Sequence, residues 1–146
     1  MTVLEFVRES NRIEGILREP TEPELAGFDR FIALSKVTLK DLVTFVSVYQ
    51  PNARLRDRVG LDVRVGNHLP PPGGPQIPVR LDVLLAQCHG GLSAYHAHVA
   101  YETLHPFTDG NGRSGRMLWA WMMGKDNALR LGFLHSFYYQ ALGASR

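Results

Sequence analysis

His105-Pro106-Phe107-Thr108-Asp109-Gly110-Asn111-Gly112-Arg113-Ser114-Gly115-Arg116 sets a histidine, a carboxylate, an asparagine between two glycines, and two arginines within twelve consecutive residues. The elements on either side follow from this run. Upstream, the pattern from about Leu92 to Leu104 is helical. Pro106 pushes the residue before it out of helical backbone, so His105 is expected at a helix-to-loop junction. Downstream, Arg113 to Met123 reads as another helix, with Leu118, Trp119, Trp121 and Met122 expected in the core. Between the two, glycine on both sides of Asn111 lets main-chain N–H groups approach an anion, and the second helix aims its positive end at the same point.

Each residue type in the run suits a separate task. His105 takes up a proton near neutral pH, as a general base acting on a hydroxyl must. Asp109 is a hard oxygen ligand of the kind that holds Mg²⁺ beside phosphate oxygens. Gly110, Asn111 and Gly112 form a donor-rich turn. Arg113 and Arg116 are three residues apart, share a side of a helix, and would clamp successive phosphate groups. Phe107 is expected to anchor the loop in the core.

Outward from the run, the chain reads as helices. Val3 to Leu17 is amphipathic, with Phe6, Ile13, Ile16 and Leu17 on one side, and Pro20 and Pro23 end the pattern. Helices are expected from about Glu24 to Ser35, Leu39 to Tyr49, Val79 to His89 and Leu134 to Leu142. The stretch Pro70-Pro71-Pro72-Gly73-Gly74-Pro75 must be a loop. One segment departs from helical spacing: Leu61, Val63 and Val65 alternate with Asp62 and Arg64 between Gly60 and Gly66, the signature of a half-buried strand in a short hairpin.

Composition bounds the function. A chain of 146 residues suits one domain, and no apolar run approaches the roughly 18 residues a membrane span needs. Glu5, Arg8 and Glu9 fall where an export signal would be apolar, so a cytoplasmic protein without membrane partners is expected. A net charge of +2 is too small to argue for nucleic acid. Arg54, Arg56, Arg58 and Arg64 read as a solvated basic face or one edge of a partner site. Cys88, the single cysteine, sits in an apolar helical pattern and reads as a buried thiol. His89, His96, His98 and His105 are close in sequence, but His96 and His98 point to different sides of a helix and no paired zinc signature is present. His98 shares a face with Glu102 and is expected under the active-site loop.

The run from His105 to Arg116 resembles the motif of the Fic domain family, His-x-Phe-x-Asp/Glu-Gly-Asn-Gly-Arg-x-x-Arg, and matches it at every specified position. The resemblance covers about Leu39 to Leu142. It implies an all-α fold: one Fic-type helical bundle over residues 1–146, with a short β-hairpin flap at 58–69 and the catalytic loop at 105–116. The implied activity is transfer of AMP from ATP to a Ser, Thr or Tyr hydroxyl of a target protein, with Mg²⁺ as cofactor. His105 would be the base, Asp109 the Mg²⁺ ligand, and Gly110, Asn111 and Gly112 the anion hole. Arg113 would lie near the β-phosphate and Arg116 near the γ-phosphate. Val63, Arg64, Val65 and Gly66 resemble the flap, which receives the target by strand addition. A small residue at Gly112 implies AMP rather than phosphate transfer.

Ser10-Asn11-Arg12-Ile13-Glu14-Gly15 is similar to a second pattern of the family, Ser/Thr-x-x-x-Glu-Gly/Asn, the inhibitory helix. Within residues 1–18 it resembles the subclass whose inhibitor precedes the catalytic core on the same chain (class II-like). Glu14 would then pair with Arg116 in the place of the γ-phosphate. Alternatives within the resemblance are removal of AMP from a modified protein and ATP binding without transfer. Apolar surface on the first and last helices would suit a homodimer.

Overall fold

The computed structural model describes residues 1–132, which form seven α-helices. These are α1 (Val3–Ile13), α2 (Glu22–Ile32), α3 (Leu39–Tyr49), α4 (Gln76–His89), α5 (Ala94–Leu104), α6 (Asn111–Met123) and α7 (Lys125–Leu131). The helix expected over Leu134 to Leu142 lies outside the described residues. Among the described residues no helix is long and apolar enough to cross a membrane.

Helix α6 is the centre of the bundle, packed against α5, α7, α2, α3 and α1, while α4 covers α5 and α3. Its Met117, Leu118 and Ala120 are buried, as are Phe6 and Val7 of α1, Phe28 and Phe31 of α2, and Leu42 and Phe45 of α3. Phe6 meets Phe28 edge-on at 5.3 Å and Phe31 meets Phe45 at 5.5 Å, the geometry that aromatic quadrupoles favour. Each such buried side chain contributes about 2 kcal/mol relative to exposure. Trp119, Trp121 and Met122 are only half-buried, against the expectation for them. The Trp121 Nε1 donates to the Leu34 carbonyl at 2.8 Å, and the ring meets His89 edge-on at 5.6 Å.

Three helices begin alike. Thr2, Thr21 and Thr38 cap α1, α2 and α3, each in a reciprocal capping box with Glu5, Glu24 or Asp41. A cap of this kind contributes about 1 kcal/mol.

Helix α1 stops a turn before the expected end. Gly15, at φ 77°, takes the left-handed conformation, Ile16 N–H donates to Asn11 O at 3.0 Å, and Gly15 N–H to Arg12 O at 2.9 Å. That is a Schellman ending, and it makes Glu14 the C-cap. Leu17, expected on the apolar side of the helix, is 76% exposed beyond it. The chain after the turn is held by Arg8 to Glu19 at 2.7 Å and by a two-pronged Arg18 to Glu24 contact at 2.9 and 3.0 Å.

Glu24 is 1% exposed and also accepts from Thr21 N–H and Asn11 Nδ2. Burial alone would raise its pKa; the Arg18 and Thr21 hydrogen bonds outweigh it and hold the carboxyl below its ordinary value. A lowered folded-state pKa contributes stability above the unfolded value that is lost as pH falls through the folded one. Glu24→Gln is therefore expected to cost about 2 kcal/mol at neutral pH, limited by the half-exposed Arg18. Thermal unfolding should show a midpoint about 5–10 °C lower at pH 7, and the gap to the parent should narrow as pH drops below the carboxylate range. A gap that is constant with pH would exclude the ionised carboxylate as the source.

The β-hairpin expected at 58–69 is not formed. No strand ladder occurs there; Val65 and His68 make one isolated antiparallel bridge, with N–H to O distances of 3.0 and 2.8 Å. Several main-chain groups of the segment are taken locally or by side chains: Leu61 N–H donates to Arg58 O at 3.2 Å, Leu61 O accepts from the Arg56 guanidinium, and Gly66 O accepts from Arg64 Nε. Alternation of side chains alone makes a half-buried extended segment, and pairing needs free donors.

Candidate active site

The site lies where α5 ends and α6 begins. Backbone φ of 51° and ψ of 64° at His105 close α5 in a left-handed C-cap, with His105 N–H donating to Tyr101 O at 2.8 Å. Among the described residues it is the one non-glycine with positive φ. The next residues cross an extended segment: Leu55 and Phe107 form an isolated bridge, flanked by Arg56 N–H to Pro106 O at 2.9 Å and Thr108 N–H to Arg54 O at 2.8 Å. Phe107 is 1% exposed and anchors the loop as expected from its type.

Asn111 closes the loop on itself. Its Oδ1 accepts from Phe107 N–H and its Nδ2 donates to Phe107 O, both at 2.8 Å. Its side chain is thus occupied by the loop, and what it offers an anion is its main-chain N–H. Gly110, the N-cap of α6, has φ 79° with Val46 against it, and no side chain caps the helix. The first-turn N–H groups of α6 consequently have no intrahelical acceptor and point out of the helix end. Ser114 fastens the turn from behind, donating to Gly110 O at 2.8 Å and sharing a 2.7 Å contact with the buried hydroxyl of Tyr101.

In front of this helix end is a cavity of about 360 Å³ lined by Glu14, Val63, Arg64, Val65, His105, Thr108, Asp109, Gly110, Asn111 and Gly112. Gly66 sits at the tip of the 65–68 turn and accepts from Arg64 Nε at 3.1 Å. Arg113 and Arg116 lie behind the cavity wall, 3% and 1% exposed. Arg113 stacks over the Tyr49 ring at 5.5 Å, and its Nε and Nη1 are buried without a hydrogen-bond partner among the described residues. Burial lowers its pKa, partly offset by the charges of Glu14 and Asp109.

Arg116 reaches across to α1. Its Nε donates to Ser10 Oγ at 2.8 Å, and its Nη2 to Ser10 O at 2.9 Å and to Glu14 Oε1 at 2.7 Å. The glutamate side chain is 34% exposed against 2% for the arginine, so Glu14 is the member of the pair that solvent can displace. A Cβ on Gly112 would run into the carboxylate end of the Glu14 side chain and crowd the Arg116 guanidinium, so the Glu14–Arg116 contact in this position is fitted to a glycine.

His98, expected under the loop, is buried between α5 and α6, its Nδ1 at 3.0 Å from Gly115 O and its Nε2 at 3.9 Å from Glu102 Oε1. Among the described residues no three His, Cys, Asp or Glu side chains gather to hold a metal ion on their own. Cys88 is partly buried, and burial raises its thiol pKa.

Two residues were not legible in the sequence. Tyr49, under Arg113, sits in an ordinary helical pattern. Arg56, grouped with a solvated basic face, is 0% exposed and wholly internal, which overturns that reading for it. Arg54, Arg58 and Arg64 are exposed.

A family model described as Fic/DOC family matches residues 29–123, from α2 to the end of α6, and leaves α1 and Glu14 outside the match. The chain is similar to a protein of Culex quinquefasciatus named Protein adenylyltransferase Fic, with 28% identity over 119 residues. That alignment covers 65% of this chain and 23% of the mosquito protein, so the chain spans less than a quarter of that relative's length.

Proposed function

Because the chain belongs to the Fic/DOC family, we propose that it is a protein adenylyltransferase that moves AMP from ATP to a hydroxyl side chain of a target protein and is restrained by its own Glu14. One observation carries the reading: a proton acceptor, a carboxylate and an uncapped helix end line the same cavity. The name of the mosquito relative supports the same chemistry.

The fit of ATP and Mg²⁺ rests on the wall of that cavity. The uncapped helix end in that wall favours negative charge, and the buried Arg113 guanidinium behind it, with two N–H donors unpartnered among the described residues, adds to that field. Asp109 lines the cavity, with Oδ1 accepting from Gly110 N–H at 2.7 Å, and one carboxylate together with phosphate oxygens is a usual setting for Mg²⁺. Mg²⁺ bound there would offset phosphate charge.

The steps by this chain's residues follow. His105 Nδ1, 3.3 Å from Glu102 O, can only donate to that carbonyl, which leaves Nε2 as the proton acceptor. His105 takes the proton of the target hydroxyl as its oxygen bonds to the α-phosphorus. The bond from that phosphorus to the pyrophosphate oxygen breaks, and pyrophosphate leaves with the electron pair. Donors at the start of α6 and on Arg113 stabilise the charge that shifts toward the leaving group. Val63, Arg64 and Val65 line the same cavity as His105 and would be the residues a target segment meets there.

Parallel incubations of the Glu14→Gly chain and a cell lysate with ATP labelled at the α- or the γ-phosphate test this reading. Protein-bound label is expected from the α-labelled nucleotide and none from the γ-labelled one. Label from the γ-position would mean phosphate transfer, and label from neither would remove the proposal.

A further inference from the structure

Arg56 is a cation buried to 0% exposure whose guanidinium is spent on main-chain carbonyls. Nε donates to His105 O at 2.6 Å and Nη2 to Leu104 O at 2.9 Å; Nη1 donates to Leu61 O at 3.1 Å and Pro71 O at 2.8 Å. The first two acceptors are the last carbonyls of α5, where the helix dipole is negative and where a left-handed C-cap leaves carbonyl groups in need of donors. The second two stand at the two ends of the segment 62–70, which holds the cavity-lining Val63, Arg64 and Val65. Arg56 N–H also donates to Pro106 O, and Arg56 O accepts from Gly74 N–H, both at 2.9 Å.

From this geometry we infer that Arg56 is a positioning residue for the transfer reaction: it holds His105 in its left-handed conformation and locks the segment 62–70 in register with it. The inference rests on His105 being the base. A planar fork with donors on three nitrogens is what joins four carbonyls from three separate stretches of chain. An ordinary surface salt bridge would not bring Arg56 inside, and burial works against it: desolvation lowers its pKa, with Asp62 offsetting part of the effect. The arrangement explains how a strained junction at His105 keeps one conformation, since the surroundings over-determine it. It also makes the target-facing segment and the base one rigid unit, so a target resting on residues 63–65 would find the imidazole at a set distance.

Arg56→Lys keeps the charge and loses the fork. In the Glu14→Gly background, the rate constant for AMP transfer should fall about 10- to 100-fold, the cost expected of a base displaced by about 1 Å, with ATP affinity unchanged. In a His105→Ala background the same substitution should have a much smaller effect on residual transfer, because the part of the loss that runs through the histidine is already gone and only the hold on segment 62–70 is left to lose. Loss of ATP binding in step with the rate, or a drop of undiminished size without His105, would overturn the inference.

Ring carbon–proton NMR of the histidines reads the junction without any target. The His105 peak should shift or double in Arg56→Lys, while those of His89 and His96 keep their positions. An unmoved His105 peak, or movement of every ring peak together, would overturn the inference. Should Arg56→Lys fail to fold, the Arg56 Nε–H of the unaltered chain decides instead: protection from solvent exchange is expected, and exchange as fast as in free arginine would overturn it. If the Glu14→Gly chain transfers no AMP, the proposed activity falls while the NMR measurement still decides the placement of His105 by Arg56.

Discussion

Glu14→Gly is expected to raise transfer of α-labelled AMP by about 10- to 100-fold over the parent chain, the range that follows from removing one charge-assisted hydrogen bond to a buried guanidinium. The effect depends on Arg116 keeping its place after the carboxylate is gone. It should do so, because it also donates twice to Ser10, at 2.8 and 2.9 Å, and the side chain is 2% exposed. What changes is one Nη2 position, now held by Glu14 Oε1 at 2.7 Å and then open to a phosphate oxygen. The helix itself should survive, since Glu14 is only its C-cap and the left-handed turn is made by Gly15. Glu14→Gln separates charge from bulk: it still fills the space in front of Gly112 but attracts Arg116 less, so its rate should fall between parent and Glu14→Gly. Labelling by Glu14→Gly equal to the parent would remove the restraint from the mechanism. A rate that rises equally in Glu14→Gln and Glu14→Gly would assign the restraint to charge alone.

The contiguous part of the site was legible because its chemistry is local. Pro106 after His105, and the glycines on both sides of Asn111, dictate a junction and an open helix end from neighbouring residues alone, and the structure forms both. The helix expected at about Leu39 to Tyr49 forms over that span for a similar reason: Pro51 follows its end, and the structure adds the Thr38 cap at its start. Contacts made across the bundle were legible only where a resemblance pointed to them, as for Ser10 and Glu14. Arg56 and Tyr49 had no such pointer. An arginine between Leu55 and Asp57 has the local pattern of a surface, and only the arrival of α5's last carbonyls from about fifty residues away turns it inward. The missing hairpin is the same lesson in reverse. Leu61, Val63 and Val65 have the right alternation, but Leu61 O is claimed by Arg56, Gly66 O by Arg64, and the Val65 and His68 main-chain groups by their own turn, none of which periodicity reveals.

His105→Ala is expected to reduce AMP transfer in the Glu14→Gly background by about 10²- to 10⁴-fold, the usual contribution of a positioned general base. ATP affinity should hold, because the groups that would take the phosphates belong to α6 and not to the junction. The φ of 51° at position 105 complicates the interpretation of alanine alone, since a side chain that tolerates the left-handed region poorly would shift the loop as well as remove the base. Asparagine tolerates that region and cannot accept a proton near neutral pH, so His105→Asn isolates the chemical role. Both variants should lose transfer to a similar degree while keeping the parent's unfolding temperature to within a few degrees. Transfer retained by His105→Asn but lost by His105→Ala would make position 105 a backbone requirement and leave the base to another group. Transfer retained by both would end the assignment, and the cavity that joins His105 to Asp109 and the α6 end would need a different reaction. The outcome also bears on Arg56, because a guanidinium that gathers the carbonyls of Leu104 and His105 matters to catalysis only if the imidazole it orients receives the proton.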